Sequence, residues 1–385
     1  MNLYFSPKAR RAALTGFMAG ALLLSGCEKK PPTDALLIGL GGPITGPNAK
    51  FGEQLLKGAR MAAEVVNEQG GINGKQVFVV PADDACEAKQ ARSVANRLVN
   101  EGVAAVIGHF CSSSTIPASE VYAERNLLMI TPGSTNPQVT DKGFPTVFRT
   151  CGRDDQQGSV AADYIAAVLK PKALAVIHDK DTYGQGLADA MRARLKQKHH
   201  MQEILYEGIT RGDKDFNSLI TKMKGLKVDV IFFGGVATEG GLLVRQATEQ
   251  GLKARFVSGD GIITENFPAI TGPAVKGVLM TFGQDPRLIP QAAAVVDRFR
   301  KSGYDPEAYT LYSYASAQVI FEALKNTGNT HDGKVLAAYI RAHTFDTVMG
   351  PKAFDAKGDL KQSDYVMFEW VETEPGKYAY QQISR

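Results

Sequence analysis

Short apolar runs alternate along this chain with longer segments whose apolar residues recur at helical spacing. Residues 36–40, 103–107 and 127–130 are such runs, and residues 53–68 and 89–100 are helical segments between them. Neighbouring parallel strands need a crossover connection, usually a helix, so this alternation predicts a parallel sheet covered by helices. We therefore predict an α/β protein with doubly wound sheets.

The alternation restarts after residue 154, with further strands predicted at 173–178, 228–235 and 255–259. A chain of 385 residues exceeds the roughly 250–300 residues at which single cores stop growing, so we expect two domains. Each predicted strand ends in glycine and small polar residues. Two rows of strand ends that face each other would form a cleft between two lobes, and such clefts bind ligands.

Hydroxyl side chains follow two neighbouring strands of the first predicted sheet. Residues 108–115 contain Ser112 close to a helix start, and residues 131–136 contain Ser134 and Thr135. Unpaired N–H groups and the positive end of a helix dipole favour a small anion at such a junction. Ser112 taken alone is better explained as a helix N-cap. The two hydroxyl clusters together predict an anion cradle.

The first 26 residues have the pattern of a secretory signal peptide. Basic residues precede an apolar stretch at 12–24, which is too short to span a membrane comfortably. Leu-Ser-Gly then precedes Cys27, as in the lipobox of bacterial lipoproteins, and a polar tether at 27–33 follows. We predict an exported protein, periplasmic or on the cell surface, that contacts the membrane only through a lipid on Cys27. The alternative is a plain cleavable signal with a chance cysteine.

The balance of charges argues against nucleic-acid binding. The signal peptide holds three basic residues and no acidic one, and the whole chain has 44 basic and 40 acidic residues. The exported protein is therefore close to neutral and has no predicted basic face, which is the usual electrostatic footprint of a nucleic-acid partner.

Three cysteines remain after Cys27. Export permits a disulfide, and a bond between Cys86 and Cys111, which enclose residues 87–110, would contribute roughly 3–4 kcal/mol in the chain-entropy model. We predict that pair, with Cys151 as a free and buried thiol. No cysteine has the spacing of a metal ligand, so no metal site is predicted.

Glycine-rich turns near residues 39–46 and 70–75 resemble nucleotide loops only weakly. The first lacks the third glycine of a dinucleotide fingerprint, and the second lacks the first glycine and the final Ser/Thr of a phosphate loop. We therefore predict no cofactor. Ser112 with His109 could suggest a nucleophile and base, but no Gly-x-Ser-x-Gly elbow surrounds them, and the sequence predicts a protein that is not an enzyme.

Several motifs resemble one family in order along the chain. The sequence is similar, from about residue 36 to residue 370, to the periplasmic leucine/isoleucine/valine-binding proteins of ABC importers. The motifs that carry the resemblance are DDAC at 83–86, GHFCSSST at 108–115, MITP at 129–132, HDK at 178–180, YGQG at 183–186, DKDF at 213–216, DTVMGP at 346–351 and GDLK at 358–361.

The resemblance implies two Rossmann-like lobes joined by three crossovers, the type I periplasmic binding protein fold. It places residues 34–153 and 284–362 in lobe 1 and residues 154–283 and 363–385 in lobe 2. The crossovers near 150–154, 282–285 and 361–364 would act as a hinge. The implied partners are a small amino acid, an ABC permease and its ATPase subunits, and the protein is expected to be a monomer.

The resemblance also implies the ligand contacts. Ser112 and Thr135 would hold the carboxylate of an amino acid, and the Gly133 carbonyl would accept from its ammonium. Asp260 would be the countercharge of that ammonium. The remaining candidates are the neighbouring Ser134 and the residues expected to wall the side-chain pocket, Phe51, Phe110, Tyr183, Val236 and Tyr309.

Three positions depart from the family pattern, and they leave the ligand open. Phe51 replaces a usual Tyr, Val236 replaces a usual Tyr, and Asp260 replaces Glu. Losing a ring at position 236 would enlarge the pocket, so we hypothesise that a larger apolar amino acid such as phenylalanine is accepted.

The expected function is an extracytoplasmic solute-binding protein for a branched-chain or related apolar amino acid. The alternative is a sensing receptor or regulator for an amino acid or amide on the same fold.

Overall fold

A computed structural model describes Met1, residues 33–362 and residues 364–383. Apart from Met1, the predicted signal peptide lies outside the described residues, as do Cys27 and the tether up to residue 32. Within the described part of the chain, no helix combines the length and the apolar composition that a membrane crossing requires.

The helices and strands follow the predicted alternation. The strands are β1 (Leu36–Gly42), β2 (Val77–Asp83), β3 (Ala105–Ile107), β4 (Leu128–Thr131), β5 (Val147–Arg149), β6 (Leu174–His178), β7 (Leu205–Gly208), β8 (Val230–Gly234), β9 (Arg255–Ser258), β10 (Leu279–Phe282), β11 (Thr344–Thr347), β12 (Gly350–Ala353), β13 (Val366–Glu374) and β14 (Lys377–Gln382). The α-helices are α1 (Ala49–Glu68), α2 (Ala88–Asn100), α3 (Ser112–Glu124), α4 (Gln138–Asp141), α5 (Asp154–Tyr164), α6 (Thr182–His199), α7 (Asn217–Gly225), α8 (Ala237–Glu249), α9 (Asn266–Thr271), α10 (Ala293–Lys301), α11 (Ala308–Asn326) and α12 (Gly333–Ala342).

Two separate sheets form the centres of two lobes. The first lobe contains a five-stranded sheet in the order β2-β1-β3-β4-β5, and every pair in it is parallel. The second lobe contains a seven-stranded sheet in the order β14-β13-β10-β9-β8-β6-β7. Its last two strands in sequence, β13 and β14, form an antiparallel edge on an otherwise parallel sheet. The predicted α/β class with two doubly wound lobes is confirmed.

The sequence explains why the central strands lie where they do. β3, β4 and β8 are buried along their whole length and are continuously apolar apart from their ends, which is typical of parallel strands covered on both faces. After β10 the chain returns to the first lobe, where α11 packs against α1. The predicted lobe boundaries near residues 153, 283 and 362 remain predictions.

The start of α3 differs from the sequence-based expectation. Ser112 was a candidate N-cap, but the helix begins at Ser112 itself, after an extended Cys111. Ser112 is therefore the first helical residue and not the N-cap. Cys111 forms a disulfide with Cys86, and Cys151 is free and buried, as predicted.

Candidate ligand-binding site

A small cavity lies where the strand ends of the two lobes meet. Helices α3, α6 and α8 begin beside it, so the positive ends of three helix dipoles lie near its walls. The first lobe contributes Phe110, Cys111, Ser112, Gly133 and Tyr309, and the second lobe contributes Asp181, Tyr183, Arg211, Val236, Asp260 and Gly261.

Seven of the ten residues predicted to bind ligand line this cavity. The other three, Phe51, Ser134 and Thr135, lie behind its surface. Phe51 is 2% exposed and stacks on Phe110, with ring centroids 4.3 Å apart. The Ser134 hydroxyl points into the first lobe and donates to the Phe110 carbonyl at 2.7 Å. These contacts make Phe51 and Ser134 supports of the cavity wall.

The first-lobe side of the cavity is a loop held against a helix start. The Ser112 hydroxyl accepts a hydrogen bond from the Asn136 backbone N–H at 3.3 Å, which ties α3 to the loop that follows β4. The Thr135 hydroxyl is buried and has no hydrogen-bond partner among the described residues. The Thr135 hydroxyl lies behind the cavity surface and opposes the raised pKa of the buried Asp154 carboxyl, so its nearest polar neighbour belongs to the protein.

Arg149 fixes the loop from behind. Its guanidinium is fully buried and donates to the Ser134 carbonyl at 2.9 Å and to the Asn136 carbonyl at 3.1 Å. It also donates to Asp359 at 2.6 Å and to Thr140 at 2.6 Å. Sequence reasoning did not identify Arg149, because its partners come from separate segments that only the fold brings together.

Aromatic rings form the apolar wall of the cavity. Phe110 and Tyr309 meet edge to face with centroids 5.0 Å apart. Tyr309 also contacts Phe282 of the second lobe, with centroids 5.5 Å apart. Edge-to-face packing of this kind adds stability beyond the burial of area. The rings leave an apolar surface beside the polar groups, as an amino-acid side chain would require.

Asp260 supplies a negative charge on the second-lobe side. It is 3% exposed and lies at the end of β9. The Tyr183 hydroxyl donates to its Oδ1 at 2.8 Å and accepts from the Gly261 N–H at 2.9 Å. Burial raises the pKa of Asp260, and the hydrogen bond from Tyr183 opposes that shift. Burial, followed by the Asp260 charge, holds the pKa of Tyr183 well above its ordinary value, so the phenol remains a donor.

A second buried carboxyl lies close to Asp260. Asp154 is the first residue of α5, and its buried carboxyl lies beside Thr135, whose carbonyl accepts from the Asp154 N–H at 2.9 Å. Burial, and then the Asp260 charge, raise the pKa of Asp154 well above its ordinary value. Two like charges near each other disfavour ionisation of both, so the charge of each carboxyl opposes the charge of the other.

Two charged residues on the second-lobe wall were not anticipated from the sequence. Asp181 and Arg211 line the cavity, and Arg211 Nη1 lies 3.2 Å from Asp181 Oδ2. Arg211 Nε lies 3.6 Å from Asp179 Oδ2. Arg211 follows β7, a strand that the sequence analysis did not predict. The end of the cavity beside Val236 is therefore partly charged, and the phenylalanine hypothesis stays a prediction.

His109 and Ser112 do not form a catalytic pair. His109 Nδ1 lies 2.5 Å from Asp84 Oδ2, and His109 Nε2 lies 2.9 Å from the Tyr122 hydroxyl. Both ring nitrogens are thus engaged inside the first lobe, while Ser112 bonds to Asn136. Among the residues that the structure describes, no group of three or more His, Cys, Asp or Glu side chains is placed to hold a metal ion.

The two lobes touch across the cleft on both sides of the cavity. Asn136 Nδ2 of the first lobe donates to the Thr182 carbonyl at 2.9 Å. On another part of the rim, the Glu265 N–H of the second lobe donates to Glu307 Oε2 at 3.1 Å. The structure therefore has the lobes closed over the cavity. Two α/β lobes closed over a small polar and aromatic cavity define a solute-binding protein.

Comparisons with known proteins identify the family. A model of the family described as "Periplasmic binding protein" matches residues 36–375. An "Amino acid binding protein" of Pseudomonas aeruginosa is 59% identical over 89% of this chain and 91% of that protein. "Leu/Ile/Val-binding protein homolog 1" of Brucella suis is 50% identical over 90% of this chain and 93% of that protein. The chain belongs to the periplasmic binding protein family and is a binding protein, not an enzyme.

A solved structure shows the same fold. The branched-chain amino acid transporter substrate binding protein LivJ of Streptococcus pneumoniae, in complex with isoleucine, matches with a TM-score of 0.81 and 27% sequence identity. The match covers 91% of this chain and 99% of that chain. The resemblance and the type I periplasmic binding protein fold are both confirmed.

Proposed function

We propose that this protein captures a free branched-chain or related apolar amino acid in the cleft and delivers it to the permease of an ABC importer. The names of the Brucella relative and the Streptococcus structure support this ligand class. Its partners would be the permease and the ATPase subunits that hydrolyse ATP. Closure of the two lobes around the ligand would be the signal that the permease reads.

The observation that carries the proposal is the placement of opposite chemistries across one cavity. Ser112 and the first turn of α3 offer hydroxyl and N–H donors on the first-lobe side, and Asp260 offers a carboxylate on the second-lobe side. A zwitterion satisfies both sides at once. Charge-assisted hydrogen bonds of this kind are each worth roughly 1.5–3 kcal/mol.

Asp260→Asn tests the countercharge. Calorimetric titration of residues 28–385 with leucine, isoleucine and valine should show binding by the wild type. We expect Asp260→Asn to weaken it about 100-fold or more, because the ligand ammonium loses a buried partner. Asp260→Glu keeps the charge and serves as the conservative variant. Equal affinity of the wild type and Asp260→Asn would contradict the proposed role.

Ser112→Ala tests the carboxylate side with a neighbouring control. Ser113 is the next residue in α3 and does not line the cavity, so Ser113→Ala changes the same chemical group outside the site. We expect Ser112→Ala to weaken leucine binding about tenfold and Ser113→Ala to leave it within twofold. Similar losses in both variants would indicate a general effect on α3 and not a ligand contact.

Lipid attachment at Cys27 is part of the proposal. Expression of the full chain with tritiated palmitate should label the wild type and place it in the membrane fraction. Cys27→Ser should be unlabelled and should be released in soluble form if a plain signal peptidase can still act. A wild type that carries no label would contradict the anchor and leave the binding function untouched.

The exported protein is proposed to act as a monomer.

A further inference from the structure

Arg211 is an unusual residue in the wall of a cavity for an apolar ligand. It lies in the loop after β7, lines the cavity and is held against α8 through the neighbouring Gly212 N–H, which donates to Glu239 Oε1 at 2.9 Å. The Arg211 side chain is 27% exposed. The guanidinium therefore reaches the cavity from a loop that is anchored beside Val236 and the start of α8.

The ion pairs of Arg211 do not satisfy its donors. Arg211 Nε is buried and has no hydrogen-bond partner among the described residues, and its nearest carboxylate oxygen, Asp179 Oδ2, lies 3.6 Å away and is also unpartnered. Charge-assisted hydrogen bonds between these groups are normally about 2.7–2.9 Å long. Glu239 Oε2, beside the same loop, is a third buried atom without a partner. Unpaired buried polar atoms are rare in folded proteins and call for a partner.

The charges around Arg211 restrict what that partner can be. Three acidic residues lie near the loop: Asp179, Asp181 and Glu239. A ligand with a carboxylate in its side chain would be attracted by Arg211 but repelled by these acidic groups, which outnumber the single cation. A neutral acceptor, such as a hydroxyl or an amide carbonyl, takes a hydrogen bond from the guanidinium without that repulsion. Asp181, which also lines the cavity, can in turn accept from an amide N–H of the ligand.

We propose that Arg211 is a specificity-determining residue that extends the ligand range to amino acids with an uncharged, hydrogen-bond-accepting side chain. The inference rests on the proposed function, because it assumes that Asp260 and the first-lobe side hold the zwitterion. It concerns only the far end of the cavity, where the ligand side chain meets the second lobe. Val236, a small apolar residue, lines the cavity together with Arg211.

Leucine and asparagine provide the test, because their side chains have nearly the same shape and differ in polarity. The measured quantity is the ratio of the leucine dissociation constant to the asparagine dissociation constant. We expect this ratio to be at least tenfold larger in the wild type than in Arg211→Met, which keeps the length of the side chain and removes its donors. Valine and threonine, a second pair of similar shape with shorter side chains, are titrated in parallel. Aspartate is titrated as well, to test whether a charged side chain is excluded.

The control is Arg60→Met, an exposed arginine on α1 in the first lobe, which should show the wild-type ratio. An unchanged ratio in Arg211→Met, or tighter binding of aspartate than of asparagine by the wild type, would overturn this inference while leaving the proposed function intact. If Arg211→Met does not fold, the wild type alone provides the test. Binding of leucine more than 100-fold tighter than asparagine, together with binding of valine more than 100-fold tighter than threonine, would then overturn the inference. A wild type that binds no amino acid overturns the proposed function and this inference together.

Discussion

Each side of the cleft contains one arginine, and the two are held in opposite ways. Arg149, behind the first-lobe side, is fully buried and makes four hydrogen bonds of 2.6–3.1 Å. Arg211, on the second-lobe side, has ion-pair distances of 3.2 and 3.6 Å, and within the described part of the chain its buried Nε has no hydrogen-bond partner. The first arginine completes a polar network within the protein. The second has donors left over for a ligand.

This contrast suggests how the protein divides recognition between its lobes. A loop whose carbonyls are fixed by a buried guanidinium presents the same hydroxyl and N–H groups to every ligand. Such a surface suits the carboxylate end, which all amino acids share. The second-lobe side, with Arg211 and the small Val236, contacts the part that differs between amino acids. Departures from the family pattern at that side therefore bear on ligand choice.

The largest expected effect comes from removing Arg149. Arg149→Met removes the buried donor of two loop carbonyls and leaves Asp359 with Thr140 and Arg153 as its remaining partners, and we expect a loss of about 3–5 kcal/mol in the free energy of unfolding. Arg211→Met is the matched substitution on the other side and should cost less than about 1 kcal/mol, because its ion pairs are poorly formed. Urea unfolding without ligand measures both. Equal losses would contradict the contrast between the two arginines.

The disulfide comes next in expected size and belongs to the first-lobe side. Cys111 lines the cavity and precedes Ser112, and its bond to Cys86 holds the start of α3. We expect the double variant Cys86→Ala/Cys111→Ala to lose about 3–4 kcal/mol of unfolding free energy and to bind ligand more weakly. Cys151→Ala removes a buried thiol but no cross-link, and should cost less. Unchanged stability of the double variant would show that the network around Arg149 alone fixes this side.

A smaller effect is expected from the pH dependence of Asp179. Burial raises the pKa of Asp179 from 3.8 to about 7, although Arg211 opposes the shift. Between these two pH values, the folded protein therefore still holds the proton of Asp179, whereas the unfolded chain has already released it. Stability from this group is present below pH 3.8 and is lost as pH rises towards about 7. Asp179→Asn should remove this loss, on the order of 1–3 kcal/mol across that window.

Thermal unfolding of wild type and Asp179→Asn in matched buffers across that pH range measures the difference. The wild type should lose stability relative to the variant as the pH rises. A constant difference between the two proteins would show that Asp179 keeps an ordinary pKa, and would mean that Arg211 is paired more strongly than its distances indicate.

The fold could be predicted from the sequence because its central strands are continuous apolar runs. Two of the strands that were missed, β5 and β7, lack that signal. β7 reads Leu-Tyr-Glu-Gly and is mostly half-buried at the edge of its sheet, and β5 has only three residues. Missing β7 also meant missing Arg211, since the position of its loop at the cleft follows only from the strand order.

The site could be predicted in part, because the family motifs supply positions but not side-chain directions. Ser112, Tyr183 and Asp260 line the cavity, and their roles in ligand binding stay predictions. Ser134 and Thr135 are neighbours in one loop, yet the Ser134 hydroxyl donates to the Phe110 carbonyl inside the lobe whereas the Thr135 hydroxyl lies beside the buried Asp154 carboxyl. Local turn geometry decides this difference. The role of Arg149 depends on Asp359, which is 210 residues away in the chain, and no local pattern reveals such a pair.

The central claim is that the two sides of the cleft together recognise a zwitterion. Calorimetric titration with leucine and its two half-ligands tests this most directly: 4-methylpentanoate lacks the ammonium, and isoamylamine lacks the carboxylate. We expect leucine to bind the wild type and each half-ligand to bind at least about 100-fold more weakly, because a buried charged partner is left unpaired in each case. Binding of 4-methylpentanoate as tight as that of leucine would contradict the account, since Asp260 would then not act as a countercharge.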